Sequence, residues 1–157
     1  MSGPVEGTSG TIEDVTLSAG QGYTLVSGGA AYNCTILSGG YLYAESGGKL
    51  YDTVISNSGG PPDGYATDTT VYGGGTASGT LIYQGGEQDL ESGGKAYNTF
   101  VYSGGEQVVD IGTAYATTIS SGGVQEVGGE RNVSSNRTAT AASPAKDSLI
   151  ASAKYTA

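Results

Sequence analysis

Histidine and tryptophan are absent from the 157 residues, and cysteine and phenylalanine occur once each. Without histidine the chain lacks the side chain most often used for proton transfer near neutral pH. The two lysines of the main body, Lys49 and Lys95, both directly follow a Gly-Gly pair. No nucleophile, base or oxyanion arrangement stands out, so the expectation is a protein that is not an enzyme. The single cysteine, Cys34, rules out an intrachain disulfide. Basic residues are also scarce. Residues 1–129 contain 13 acidic and 2 basic side chains, whereas residues 130–157 contain four basic and two acidic ones. An acidic body of this kind excludes direct nucleic-acid binding, which needs clustered Lys and Arg. No apolar run approaches the roughly 20 residues of a membrane helix. MSGPVEGTSG at the start has neither the basic nor the apolar part of a leader. With so few large apolar side chains, a thick globular core is out of reach. A thin one is not.

What the chain has in abundance is glycine, 29 residues, and tyrosine, 12 residues. The glycines come in pairs, and the pairs punctuate a repeat. A ten-residue pattern begins at Ile12, Ala31, Leu50, Ala66, Ala77, Ala96 and Ala114, clearest in AYNTFVYSGG from Ala96. The starts lie 19, 19, 16, 11, 19 and 18 residues apart. A fixed period near 19 is the mark of a solenoid. Paired glycines this frequent also exclude long helices, at about 1 kcal/mol per glycine.

Each unit has a long and a short half. In the long half Val15, Cys34, Thr53, Thr69, Thr80, Thr99 and Thr117 form one column. Two residues on, Leu17, Ile36, Ile55, Val71, Ile82, Val101 and Ile119 form a second. This alternation is the strand period of two, so both columns are expected to face inward. Thr16, Thr35, Val54, Thr70, Leu81, Phe100 and Thr118 then face out. Cys34 reads as a small buried stand-in for Thr. Asn33, Asp52, Asp68 and Asn98 mark a tight bend, because Asn and Asp tolerate left-handed backbone. In the short half Leu25, Ala44, Leu90, Val109 and Val127 point inward, and Gln88, Gln107 and Gln125 stack on the same face. Their amides can bond from rung to rung.

The expected architecture is therefore all-β: a parallel β-helix, or β-solenoid, of about six coils. Residues 11–129 form the repeat domain, with an irregular middle at 60–78, where PPDGY interrupts the pattern and a short half is missing. Residues 1–10 read as an N-terminal cap or a disordered start. Residues 130–157 read as a polar tail, or as a short capping helix begun by Ser143-Pro144. The Asn-x-Ser/Thr triplets at Asn33, Asn132 and Asn136 read as chance.

The pattern A-x-x-T-x-V-x-x-G-G-x-Q-x-V-x-x-G-G, carried by AYNTFVYSGGEQVVDIG from Ala96 and by GTLIYQGGEQDLESGG from Gly79, resembles the AIDA-type repeats of bacterial autotransporter passengers and surface adhesins. The resemblance covers about residues 11–129. It implies a right-handed coil and extracellular or cell-surface display. It also implies adhesion, self-association or biofilm formation, and heptoses on Ser or Thr in some relatives. A chain that used the scaffold elsewhere, for instance on a phage, would be cytoplasmic.

The candidate contact residues are tyrosines. Tyr32, Tyr51, Tyr97 and Tyr115 share one repeat position, and Tyr72, Tyr83 and Tyr102 share another. Pro61, Pro62, Asp63 and Tyr65 of the interrupted segment join them, because recognition often sits on loops held by a rigid scaffold. Glu87, Asp89, Glu91, Glu106 and Asp110 stack along the short halves. They form either a solvated acidic strip or a place where Ca²⁺ could bridge rungs. The expected partners are a second copy, another protein or a cell-surface glycan. An alternative function is an acidic inhibitor that binds a basic protein. No cofactor is expected, calcium on the acidic strip being the weaker alternative.

Overall fold

The computed structural model describes residues 5–56, 67–128, 130–134, 137–142 and 154–155. All regular elements among them are strands. The strands form an 8-stranded sheet of short halves and a 13-stranded sheet of long halves. Apart from the strands after residue 128, all pairings are parallel. The chain is a parallel β-solenoid of six coils, starting at residues 11, 30, 49, 76, 95 and 113, that is, at steps of 19, 19, 27, 19 and 18.

In coils 1 to 5 each long half holds two short strands with a bend between them, as in Lys95–Tyr97 and Phe100–Val101 around Asn98, while in coil 6 Thr113–Ile119 runs as one strand through the bend at Ala116. The bend residue needs a left-handed backbone. Asp14, Asn33, Asp52, Asn98 and Ala116 take it at φ between 51° and 56°, and Gly79 takes it at 74°. Three rows of strands result, and hence three outer faces.

The interior is narrow and continuous. Ala31, Ala77, Ala96 and Ala114 are fully buried in the first row, and Ile36, Ile55, Ile82, Val101 and Ile119 in the second. Leu25, Ala44, Val71, Leu90, Val109 and Val127 fill the third. Each buried Leu or Ile contributes about 2 kcal/mol. The small alanines let the rows approach closely.

The Gly-Gly corners use their two residues differently. At Gly104 the backbone is left-handed, φ 77°, which L side chains rarely adopt. Gly105 is instead a place of close approach: a Cβ there would stand 2.6 Å from the carbonyl oxygen of Ile82 in the coil before. Gln21 is instructive by contrast. It occupies the same second position in coil 1, and its Oε1 accepts from the Ser18 backbone N–H at 3.2 Å.

The register corrects the column assignment in the middle of the chain. Thr67–Val71 is not a long half. It pairs with Gly86–Leu90, placing Thr69 against Gln88 and Val71 against Leu90. On its other side it pairs with Tyr41–Ala44. Thr69 and Val71 therefore belong to the glutamine and leucine columns of the short halves. Asp68 lies in a strand rather than at a bend. Thr70, expected to face solvent, is buried at 4% exposure. No half is missing. The next long half, beginning with Thr76–Ser78, stacks directly on Lys49–Tyr51. Coil 3 simply carries eight more residues than its 19-residue neighbours, between Ile55 and Thr67. The ambiguity has a physical origin: Thr69 and Val71 ahead of Gly73 copy the Thr and Val/Ile alternation of the long halves, whereas the neighbouring short halves carry Leu42 and Gln88 where Thr69 stands.

At the N-terminal side, Val5–Thr8 pairs with Gly22–Leu25 and adds a rung to the short-half sheet. At the other side, Glu130–Ser134 and Arg137–Ala142 reverse direction and pair antiparallel with Gly123–Val127 and Thr113–Ile119. Glu130–Ser134 and Arg137–Ala142 thus supply strands over the last coil, where a polar tail was one expectation. The helix considered from Ser143 lies outside the described residues.

Candidate binding faces

Six stacked rungs turn each outward repeat position into a line of side chains about 4.8 Å apart. On the first row, two residues after Lys49 and Lys95, the line reads Glu13, Tyr32, Tyr51, Ser78, Tyr97, Tyr115. Tyr32 and Tyr51 stack with centroids 4.8 Å apart, and Tyr97 and Tyr115 at 4.9 Å. Ser78 separates the two pairs. Tyr32, Tyr97 and Tyr115 are 37–38% exposed, so each ring presents an edge and a hydroxyl outward. The four tyrosines expected to share a position do so.

The second row presents two outward lines. One is Thr16, Thr35, Val54, Leu81, Phe100 and Thr118. The other is Ser18, Leu37, Ser56, Tyr83, Tyr102 and Ser120. Tyr83 and Tyr102 stack at 4.6 Å, nearly coplanar at 4°. Phe100, at 39% exposed, stands beside them. None of these twelve residues carries a charge.

The third row is where the acidic residues gather. Glu87 faces Glu106 in register, and Asp89 is followed by Val108 and Glu126. Glu91 and Asp110 continue a third line that also contains Glu45 and Tyr72. The register thus places Tyr72 apart from Tyr83 and Tyr102, in correction of the shared position expected for them. Its ring meets Tyr43 edge-on, with centroids 6.1 Å apart, and Tyr43 lies 5.0 Å from Tyr41. This Tyr41–Tyr43–Tyr72 cluster was not anticipated. It depends on the insertion in coil 3, which hides from a fixed period that the strand with Tyr72 follows the strand with Tyr43. Among the described residues no three carboxylates gather closely enough to hold a metal ion. Pro61, Pro62, Asp63 and Tyr65 lie outside the described residues.

Inside the coil a polar line runs behind these faces. Gln107 Nε2 donates to Gln88 Oε1 at 2.9 Å, and Gln125 Nε2 to Gln107 Oε1 at 2.7 Å. Across the interior, Gln88 Nε2 donates to Thr80 Oγ1 at 3.0 Å. Thr99 and Thr117 donate to Gln88 Oε1 and Gln107 Oε1 at 3.3 and 2.8 Å. All six side chains are buried. Cys34 is buried too, its Sγ 3.5 Å from the Tyr32 carbonyl oxygen, and burial raises its thiol pKa above the ordinary value.

Residues 70–123 match the AIDA family, described as the adhesin of the bacterial autotransporter system, probable stalk. The matched stretch, 70–123, consists of AIDA-type repeats. Among solved structures, the chain is similar to a TibC-catalysed hyper-glycosylated TibA fragment, at 38% identity and a TM-score of 0.52. That likeness covers 77% of this chain and 49% of the fragment, so the chain spans about half the fragment's length. No curated protein matches the chain. The AIDA-type match begins at Thr70 and ends at Gly123, taking in the glutamine ladder up to Gln107 and the stacked pairs Tyr83–Tyr102 and Tyr97–Tyr115. No helix among the described residues is long and apolar enough to cross a membrane.

Proposed function

We propose that this chain is a non-enzymatic, surface-displayed repeat module that makes adhesive contacts through its outward tyrosines. The observation that carries this reading is the set of stacked tyrosine pairs, Tyr32–Tyr51, Tyr97–Tyr115 and Tyr83–Tyr102, held on a rigid two-sheet scaffold. Stacking fixes the rings before any partner arrives, so little entropy is lost when they make contact. Aligned phenol edges offer apolar area and hydroxyls to a glycan or a protein. AIDA-type repeats support placement at the cell surface. The TibA fragment is hyper-glycosylated, and by analogy the outward Ser and Thr of the second row, such as Thr16, Thr35 and Ser120, are candidate acceptors of sugar here. The test is binding of the immobilised chain to intact cells and to a glycan array. A Tyr97→Ser/Tyr115→Ser variant that melts like the parent should lose most of that binding. Unchanged binding would show that this tyrosine pair makes no adhesive contact.

The acidic third row favours a second reading, in which the chain blocks a basic protein. Glu87, Glu106, Glu91 and Asp110 lie along one face. Capture of a basic partner whose affinity falls steeply with salt, and falls again in a Glu87→Gln/Glu106→Gln variant, would support it.

A further inference from the structure

The polar line inside the coil has two ends, and they differ. At the C-terminal end a single buried acceptor, Gln125 Oε1, goes unpaired. At the coil 3 end two hydroxyls go unpaired together. Thr53 Oγ1 and Thr69 Oγ1 have no hydrogen-bond partner, and both side chains are fully buried.

The register says where they stand. Thr69 lies beside Gln88 of the next coil. Thr53 lies beside Thr80, because Val54 pairs with Leu81 and the Leu81 N–H donates to the Thr53 carbonyl. In coil 4, Gln88 Nε2 crosses the interior to Thr80 Oγ1 at 3.0 Å. A threonine hydroxyl ends two bonds short of a glutamine nitrogen, which removes about 2.5 Å of reach. The coil 3 hydroxyls therefore face each other across roughly 5.5 Å, about two hydrogen-bond lengths.

A third group is turned the same way. Along the ladder each amide nitrogen donates toward the lower-numbered coil, Gln125 to Gln107 and Gln107 to Gln88. Gln88 Nε2 carries two hydrogens. One goes to Thr80, and the direction of the ladder turns the other toward coil 3, where the shorter Thr69 stands. On the far side, coil 2 supplies Leu42 and Cys34, both fully buried, in the corresponding positions.

We infer that the interior of coil 3 is a binding site for one water molecule, which accepts from Gln88 Nε2–H and donates to Thr53 Oγ1 and Thr69 Oγ1. Three hydrogen bonds in an enclosed polar slot are what an ordered interior water makes. A cation does not suit the site, because hydroxyls bring no charge and the amide N–H points its positive end inward. The Gln125 end offers one bond only, too few to hold a buried water. The water completes in coil 3 the rung that glutamine completes in coils 4 to 6. It thereby lets the interior change from apolar to polar within one coil. Thr69→Gln puts an amide in the same place and releases the water. The inference is independent of what the outer faces contact.

The test is a crystal structure of the full chain, at a resolution that orders the Gln88 amide, together with oxygen-17 relaxation dispersion to count long-lived internal waters in solution. The parent should show one density peak about 2.7–3.2 Å from Thr53 Oγ1, Thr69 Oγ1 and Gln88 Nε2. Thr69→Gln should lose that peak, and its count should fall by one. Thr53→Val/Thr69→Val, which keeps the shape of both side chains and removes both hydroxyls, should lose it as well. Where one variant does not fold, the parent and the other variant still decide. A parent without the peak overturns the inference, as does one in which both hydroxyls turn to backbone carbonyls. So does a peak that persists in a variant, an unchanged count, or contacts near about 2.3 Å, which would mark a cation.

Discussion

Coils 1 and 2 and coils 4 to 6 share one backbone path but fill the same interior slot with opposite chemistry. In the first two coils the third-row slot holds Tyr23 and Leu42, facing Val15 and Cys34. In the last three it holds Gln88, Gln107 and Gln125, facing Thr80, Thr99 and Thr117. Coil 3 lies between them with Thr69 and Thr53, whose Oγ1 atoms are buried and without a partner in the structure. The contrast shows that the slot tolerates either chemistry as long as both walls change together. An apolar pair needs nothing further. Gln88 and Gln107 find both a hydroxyl and a neighbouring amide, whereas on the last rung Gln125 Nε2 bonds Gln107 and its Oε1 is buried without a partner; a buried polar group left unpaired costs about 1–3 kcal/mol. Coil 3 is the seam, where the threonines have arrived and the glutamine has not.

Four substitutions probe this contrast by chemical denaturation, from the largest effect down. Gln107→Leu should cost about 3 kcal/mol or more, because it strips the acceptor from both Gln125 Nε2 and the Thr117 hydroxyl. A loss below about 1 kcal/mol would show that the ladder contributes little. Leu42→Gln, which puts the amide where Cys34 cannot answer it, should cost about 2 kcal/mol through lost apolar burial. Adding Cys34→Thr should recover part of that loss. Thr69→Gln should stabilise by about 1 kcal/mol, since it gives the Thr53 hydroxyl an acceptor and extends the ladder by one rung. Destabilisation there would mean that the seam has no room for an amide.

The smallest effect concerns pH. Burial raises the Cys34 thiol pKa in the folded chain, while the unfolded thiol titrates near about 8.5. Its contribution is fully present below that value and declines as pH rises above it, because only the unfolded chain ionises readily. Cys34→Thr should flatten the alkaline fall in stability between about pH 8 and 10, and the native thiol should resist a thiol reagent until the chain unfolds.

Much of this contrast was legible in the sequence. The glutamine line, the threonine line facing it and the buried isoleucines all follow from a period of two nested in a period of 19. The tyrosine pairs follow as well, because any outward position repeated in consecutive coils must stack. Four features resisted. The segment around Thr69 looks the same in either half, so the insertion in coil 3 shifted its assignment and took Tyr72 with it. The second glycine of each pair serves close approach, which sequence alone cannot separate from turn formation. The uncharged face emerges only once the register says which outward residues share a row. Beyond Gly128 the repeat stops, and with it the means to foresee that Glu130–Ser134 and Arg137–Ala142 would return as antiparallel strands.

The chain's five glutamines provide the most direct measurement. Hydrogen exchange of their side-chain amides, followed by NMR, compares Gln88, Gln107 and Gln125, which are fully buried, with Gln21 and Gln84, which are exposed. A closed interior ladder predicts three slowly exchanging amide pairs and two that exchange with solvent at once, with Gln107, bonded on both sides, the slowest. Five amides exchanging alike would contradict it.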